Sequence, residues 1–151
     1  MSEPSGHLSR ILVLHGPNLN LLGKREPEIY GTTTLEQINQ EITRICREKG
    51  ANCDFFQSNH EGALIDRLHQ SKGLADFLVI NPGAFTHTSI ALRDAISAIS
   101  VPFIEVHLSN VYAREAFRHK SLLSDLAVGV ITGLGPQGYY AAVQYGLDYK
   151  S

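Results

Sequence analysis

Three continuous apolar runs, each followed at once by small and polar residues, constrain the fold of this chain more than any other feature. Residues 11–14, residues 77–80 and a run ending at Ile104 are followed by polar clusters that begin at His15, Asn81 and Glu105. Strands that are apolar throughout are typical of a parallel sheet covered by helices on both faces. Because ligands bind beyond the carboxyl ends of parallel strands, the three clusters predict a small-molecule site.

Strand and helix patterns alternate along the chain without an internal repeat or a linker. This alternation predicts an α/β protein with a three-layer, flavodoxin-like fold around a five-stranded parallel sheet, since parallel neighbours need right-handed crossovers that cover both faces. We expect one domain over residues 1–151, with residues 1–9 as a flexible extension. The predicted strands are 11–14, 52–57, 77–81, 101–107 and 127–132.

Helices are predicted between these strands and after the last of them. One runs from residue 35 until Gly50 ends it, a second follows residue 61, and two more cover residues 88–99 and 139–149. Two capping-box patterns predict where the first two begin, the first from Thr33 to Glu36 and the second from Ser58 to Glu61.

The composition excludes several classes of partner. The chain has a formal net charge of -2, and no block of Lys and Arg offers a footprint for nucleic acid or an anionic membrane. No stretch approaches the ~20 apolar residues of a membrane span, and residues 1–10 lack the apolar core of a signal peptide. We therefore expect a cytoplasmic protein with a small-molecule partner and neither a nucleic-acid nor a membrane partner.

Familiar cofactor and metal motifs are absent or out of context. Residues 133–138 match G-x-G-x-x-G, but they follow the last strand, contain a proline and leave no later strand to present a ribose-binding acid. The seven His residues lack metal-ligand spacing, so we expect no metal. Cys46 and Cys53 are not spaced as a redox or zinc pair, and we interpret both as structural residues of a reducing compartment. A phosphoacceptor receiver domain of this fold would need acidic residues after the first strand and at the end of the third. This chain has His15 and Asn81 there, which excludes that class.

The strongest local pattern is the pair Glu105 and His107. Two residues apart on a strand, their side chains point to the same side, so the carboxylate can orient the imidazole and fix its tautomer. Such a histidine can act as a general acid or base. The alternative is a buried ion pair that only satisfies a core glutamate.

A second pattern lies in the long segment after the first strand, residues 18–31, which we call the lid. It is too long for an ordinary strand-to-helix connection and contains both Arg25 and Tyr30. A nearby cation favours a phenolate, which would make Tyr30 a base near neutral pH. The alternative is a solvated loop with an anchoring tyrosine.

In this order along the chain, the motifs resemble the type II dehydroquinases, enzymes of the shikimate and quinate pathways. The resemblance spans nearly the whole chain except the first nine residues. Phe85 stands where the family more often has Tyr, next to the expected site. The matching segments are residues 14–20, 23–31, 57–62, 81–89, 93–95, 105–110 and 117–119.

The resemblance implies the dehydration of 3-dehydroquinate to 3-dehydroshikimate, an anti elimination through an enolate that needs no cofactor. It assigns removal of the C2 proton to Tyr30, as a phenolate beside Arg25, with Arg114 as a second cation available to it. His107, oriented by Glu105, would protonate the departing C1 hydroxyl.

The remaining roles also come from the resemblance. Asn18 would help to hold a water against the enolate oxygen. Asn81 with the backbone amides of Leu108 and Ser109 would bind the substrate carboxylate. The groups expected to bind ring hydroxyls are His87, Asp94 and Arg118. Their structural alternatives are a helix-capping histidine for His87 and a surface ion pair between Arg118 and Asp94.

The resemblance further implies a homo-oligomer, a dodecamer assembled from trimers, in which Asp94 reaches the site of a neighbouring subunit.

Two functional alternatives stay open. One is a different proton-transferring lyase or isomerase on the same fold, and the other is a catalytically inactive small-molecule sensor. Tyr30, Arg25, Asn18 and His107 together argue against the sensor. The residues leave open whether the enzyme serves aromatic biosynthesis or quinate breakdown.

Overall fold

The structure is a computed structural model that describes residues 9–150, the side chain of Tyr30 excepted. Its five strands form one parallel sheet in the order β2-β1-β3-β4-β5. This is the flavodoxin-like strand order, and the predicted fold class is confirmed. The strands are Arg10–His15 (β1), Asn52–Gln57 (β2), Phe77–Asn81 (β3), Phe103–His107 (β4) and Gly129–Thr132 (β5).

Helices cover both faces of the sheet. Helices α2 and α5 pack together on one face, and α3 and α4 pack together on the other. Two separate apolar cores lie between sheet and helices, because successive residues of β1, β3 and β4 point to opposite faces. The helices are Pro27–Tyr30 (α1), Leu35–Glu48 (α2), Glu61–Ser71 (α3), Ile90–Ile99 (α4) and Pro136–Asp148 (α5).

Several predicted boundaries are wrong by two or three residues. β4 begins at Phe103, not at residue 101, because Pro102 has no N–H to donate to the sheet. β5 begins at Gly129 and not at residue 127. α4 begins at Ile90, because Ser89 is its N-cap and accepts a hydrogen bond from a backbone N–H. α5 begins at Pro136, since proline suits the first helical position.

The two predicted capping boxes differ from those observed. The box of α2 lies one residue later, where Thr34 Oγ1 accepts from Gln37 N at 3.1 Å and Gln37 Oε1 accepts from Thr34 N at 2.9 Å. The second predicted box, from Ser58 to Glu61, is wrong. Glu61 is the first residue of α3, two residues before the position from which a side chain reaches back to the cap, and its carboxylate instead accepts a hydrogen bond from Ser89.

The lid is anchored in the core at its start and contains a helix that the sequence did not predict. Leu19 and Leu22 are buried in the core that α2 and α5 cover, and residues 19–21 form a 3-10 turn. The short helix α1 lies further along the lid. After Leu22, none of the described side chains up to residue 31 is buried, and we call residues 23–31 the distal lid.

The predicted N-terminal extension lies mostly outside the described residues. Ser9 is described, and its carbonyl accepts a hydrogen bond from Asn52 N, which ties it to the start of β2. The flexibility of residues 1–8 stays a prediction. None of the helices that the structure describes is long and apolar enough to cross a membrane.

Candidate active site

A cleft opens beyond the carboxyl ends of β1, β3 and β4, where the strand order changes direction and where open α/β sheets place ligands. Most of the residues predicted to form a site line it, although they come from distant parts of the chain. The predicted residues in its wall are Asn18, Arg25, Asn81, His87, His107, Leu108, Ser109, Arg114 and Arg118.

The wall of the cleft is cationic. The guanidinium groups of Arg25, Arg114 and Arg118 line it, and no carboxylate of the described residues does. Each of these groups has a neighbour: Arg118 Nε donates to Glu115 at 2.7 Å, Arg114 Nη1 donates to Ser109 Oγ at 3.2 Å, and Arg25 Nη2 lies 3.8 Å from Glu26 Oε1. An anionic ligand suits this wall better than a neutral or cationic one.

His107 and Glu105 form the hydrogen-bonded pair that their spacing predicts. His107 Nε2 lies 2.5 Å from Glu105 Oε2, and Glu105 is fully buried behind the imidazole. A carboxylate can only accept here, so Nε2 carries the proton and donates it, and Nδ1 is the nitrogen left for chemistry. Glu105 does not line the cleft and acts on it only through His107.

Two hydroxyl groups that the sequence did not single out hold Glu105 from behind. Thr86 Oγ1 donates to Glu105 Oε2 at 2.6 Å, and Ser121 Oγ lies 3.0 Å from each carboxylate oxygen. Burial alone would raise the pKa of Glu105, but hydrogen bonds from His107, Thr86 and Ser121 outweigh it and lower that pKa. Glu105 is therefore ionised and presents a carboxylate to the imidazole of His107.

His87 lies beside the pair. Its Nδ1 donates to the carbonyl of Lys120 at 2.8 Å, and its ring stacks on that of His107 with centroids 6.4 Å apart. The Nε2 atom of His87 is thereby left as an acceptor. The alternative interpretation, a helix-capping histidine, is wrong, because Ser89 caps α4.

Asn81 and Ser109 are fixed by neighbouring backbone and hydroxyl groups. Asn81 Oδ1 accepts a hydrogen bond from Gly83 N at 3.1 Å. The Ser109 carbonyl accepts from Thr132 Oγ1 at 3.0 Å, which ties the end of β4 to β5. Asn81 is the last residue of β3 and Ser109 lies two residues after the end of β4, so the sheet sets their positions.

A support for Asn18 was also missed by sequence reasoning. Asn18 has a left-handed backbone with φ of 70°, and its N–H donates to Asn59 Oδ1 at 2.9 Å. Gln57 Nε2 donates to the same Asn59 oxygen at 3.2 Å and to the carbonyl of Gly16 at 3.1 Å. The loop after β2 therefore sets the path of the chain into the lid.

Besides Glu105, two predicted residues are not among those in the wall, each for a different reason. Asp94 is exposed on α4 and does not line the cleft of its own chain. The surface pair proposed as an alternative for it is wrong, because Arg118 bonds Glu115. The side chain of Tyr30 lies outside the described residues, so its distance from Arg25 stays a prediction.

The glycine-rich segment before α5 has a structural explanation. A Cβ on Gly138 would lie 3.1 Å from Ile131 Cγ2 and 3.5 Å from Val106 Cγ1, so the missing side chain lets the helix approach β4 and β5 closely.

Between residues 9 and 150 no three His, Cys, Asp or Glu side chains are grouped as metal ligands. Both cysteines are free, and burial raises the pKa of Cys46 to about 12, which disfavours a reactive thiolate.

Comparison with known proteins agrees with this geometry. Residues 9–147 match the family described as Dehydroquinase class II. The 3-dehydroquinate dehydratase of Bordetella avium (strain 197N) is 60% identical over 140 residues, which cover 92% of this chain and 97% of that protein. Catabolic 3-dehydroquinase 2 of Neosartorya fischeri is 56% identical over 135 residues, which cover 89% of this chain and 90% of the relative.

A solved structure gives the same result for the fold. The type II dehydroquinase from Butyrivibrio crossotus DSM 2876 superposes with a TM-score of 0.90 at 45% sequence identity, covering 92% of this chain and 97% of that one. The resemblance predicted from the motifs is thereby confirmed. The match over almost all described residues, the strand order and the cleft lead to one conclusion: the chain belongs to the class II dehydroquinase family.

Proposed function

We propose that this enzyme dehydrates 3-dehydroquinate to 3-dehydroshikimate by an anti elimination through an enolate, without a cofactor. The observation that carries the proposal is the cleft itself, in which three guanidinium groups face the same space as a histidine backed by an ionised glutamate. That combination suits an anionic substrate that must lose a hydroxyl group. The relatives named as 3-dehydroquinate dehydratases support the choice of substrate.

In the first step, Tyr30 acts as the base. Its phenolate oxygen takes the C2 proton, and the electron pair left on carbon forms the enolate. Arg25 and Arg114 both line the cleft and supply the positive charge that favours a phenolate over a phenol. Asn18 holds a water against the enolate oxygen, where a fixed dipole stabilises the developing charge.

In the second step, His107 acts as the acid. The enolate collapses to form the C1–C2 double bond, the C1–O bond breaks, and the leaving hydroxide takes a proton from His107 Nδ1 and departs as water. Glu105 stabilises the imidazolium that this step needs, because its carboxylate accepts the Nε2 proton at 2.5 Å.

The remaining residues of the cleft wall orient the substrate. Asn81 and the amides of Leu108 and Ser109 bind the carboxylate, and His87 and Arg118 bind ring hydroxyls. The hydrogen bonds that hold Asn81 and Ser109 support this assignment, since a preformed site spends little binding energy on ordering.

We further propose that only the distal lid closes over the substrate. Leu19 and Leu22 anchor the earlier residues in the core, whereas Gly23 and Gly31 bound the distal lid with φ of 85° and 82°. Glycine adopts such angles without steric cost, so these two positions suit a hinge. Closure would bring Arg25 and Tyr30 onto the substrate and exclude bulk water.

Turnover of 3-dehydroquinate tests the function directly. The purified protein should produce the conjugated enone of the product, seen as rising ultraviolet absorbance. Because the mechanism uses no imine, borohydride added with the substrate should leave the activity unchanged. Absence of turnover would refute the proposed function, and inactivation through a lysine would refute the mechanism.

The assembly is part of the proposal. We propose a dodecamer of trimers in which Asp94 completes the ring-binding pocket of a neighbouring subunit. Its exposure on α4, outside the cleft of its own chain, supports a role across an interface.

A cytoplasmic location is also proposed, supported by the two free cysteines. The names of the relatives leave both a biosynthetic and a catabolic role open.

Asp94→Ala should raise the KM for 3-dehydroquinate while leaving kcat nearly unchanged, because it removes a binding contact and no proton-transfer group. Asp66→Ala, a change on another helix, serves as the control. Analytical ultracentrifugation of the wild type should show an oligomer, and activity should fall when dilution yields monomers. A fully active monomer would contradict the shared site.

A further inference from the structure

Two buried polar side chains, His15 and Tyr139, lie on the core side of Asn81 and have no part in the proposed proton transfers. Both are 0% exposed. His15 is the register partner of Asn81 across β1 and β3, and both residues follow the alternation that faces them toward α2 and α5. His15 was expected in the polar cluster of the site, yet it does not line the cleft. Burying a polar group costs free energy unless it is hydrogen-bonded, so the partners of these two side chains need to be identified.

The hydrogen bonds of His15 have a defined direction. Its Nε2 lies 2.8 Å from Asn39 Oδ1, which can only accept, so Nε2 carries the proton. Its Nδ1 lies 2.8 Å from the hydroxyl of Tyr139. Burial lowers the pKa of His15 to about 4, so the ring is neutral near pH 7. Nδ1 is therefore an acceptor, and Tyr139 donates its single hydroxyl proton to it.

This arrangement leaves the Tyr139 oxygen able only to accept from Asn81. Asn81 also acts on that oxygen: burial raises the pKa of Tyr139, and the side chain of Asn81 opposes this rise, as a hydrogen-bond donor to the phenolic oxygen does. The other end of the amide is also fixed, because Asn81 Oδ1 accepts from Gly83 N. One N–H of Asn81 then faces Tyr139, and the second N–H is left for the cleft that Asn81 lines.

We propose that His15 and Tyr139 are positioning residues that hold the Asn81 amide with an N–H toward the cleft, as the donor for the substrate carboxylate. The inference rests on the proposed function for its choice of ligand. If the amide were rotated by 180°, its oxygen would face the carboxylate, and two acceptors would oppose each other. The hydrogen bonds that run from Asn39 through His15 and Tyr139 to Asn81 each have one direction. Together they set whether the substrate meets the N–H or the oxygen of the Asn81 amide.

The kinetic test uses Tyr139→Phe, which removes one hydroxyl and keeps the packing of the ring. We expect KM for 3-dehydroquinate to rise by roughly 2- to 10-fold, the loss of about one hydrogen bond, with kcat changed less than about twofold. Tyr140→Phe, the next residue of α5, is the matched control and should leave both constants unchanged. His15→Ala should raise KM similarly, and His15→Asn, which restores an acceptor, should recover most of the loss.

A second measurement does not depend on turnover. In the unliganded protein, nuclear magnetic resonance should show a side-chain N–H of Asn81 protected from solvent exchange, and Tyr139→Phe should remove that protection. If the wild type does not convert 3-dehydroquinate but the protection is lost as expected, the proposed function fails and the positioning role stands. Unchanged protection in Tyr139→Phe, or an equal fall in kcat and rise in KM, would overturn the positioning role.

Discussion

Tyr30→Phe is expected to lower kcat for 3-dehydroquinate by at least ~10²-fold, the usual contribution of a general base. The substitution removes only the hydroxyl that would carry the C2 proton. KM should change much less, because the proposed binding groups lie at or after the ends of β3 and β4 and not on the lid. Steady-state kinetics on folded protein provide the measurement, with Tyr145→Phe on α5 as a control outside the cleft.

Arg25→Ala should give a related but distinguishable loss. Without this cation the tyrosine would ionise at higher pH, so a smaller fraction is phenolate near pH 7. The activity of Arg25→Ala should therefore recover in part as the pH is raised, whereas Tyr30→Phe should stay inactive at every pH. Near-normal kcat in Tyr30→Phe would mean that the base is a different residue.

The sequence predicted those parts of the site that the geometry of strands determines. Glu105 and His107 share a side because they are two residues apart on one strand, whatever the rest of the chain does. Asn81 and His107 line the same cleft because parallel strands end at the same edge of the sheet. The apolar residues of β3 are buried on both faces, as a covered parallel sheet requires.

Features that depend on contacts between distant segments were not predictable in this way. Ser121 supports Glu105 from a loop 16 residues away, and no local pattern indicates which hydroxyl group will reach a buried carboxylate. A general signal existed, since a glutamate inside a core strand must find several donors. The signal says that such partners exist and does not identify them.

His15 shows how a correct rule can give an incomplete prediction. It stands at the end of β1, where the sheet rule predicts a ligand site, but the alternation of the strand turns it into the core with Ile11 and Val13. Only the next residues of the loop reach the cleft. The first capping box was misplaced because Thr33 with Glu36 and Thr34 with Gln37 both satisfy the pattern, and the helix uses the second pair.

His107→Ala is expected to separate the two proton transfers. Turnover should fall by about 10²- to 10⁴-fold, the range for loss of a general acid, because the C1 hydroxyl can no longer leave as water. Tyr30 would be intact, so exchange of the C2 proton with solvent deuterium should remain detectable by mass spectrometry. His69→Ala, an exposed histidine of α3, is the control and should keep full turnover.

We expect the two proton transfers to separate because of the positions of Glu105 and His107. Glu105 is fully buried and ionised, so it can stabilise a protonated His107 but cannot itself reach the substrate. Glu105→Gln should accordingly lower turnover while preserving C2 exchange, as His107→Ala does, because both changes act on the second step alone. Loss of exchange together with turnover, in a variant that still folds, would instead assign His107 to the first proton transfer or to substrate binding.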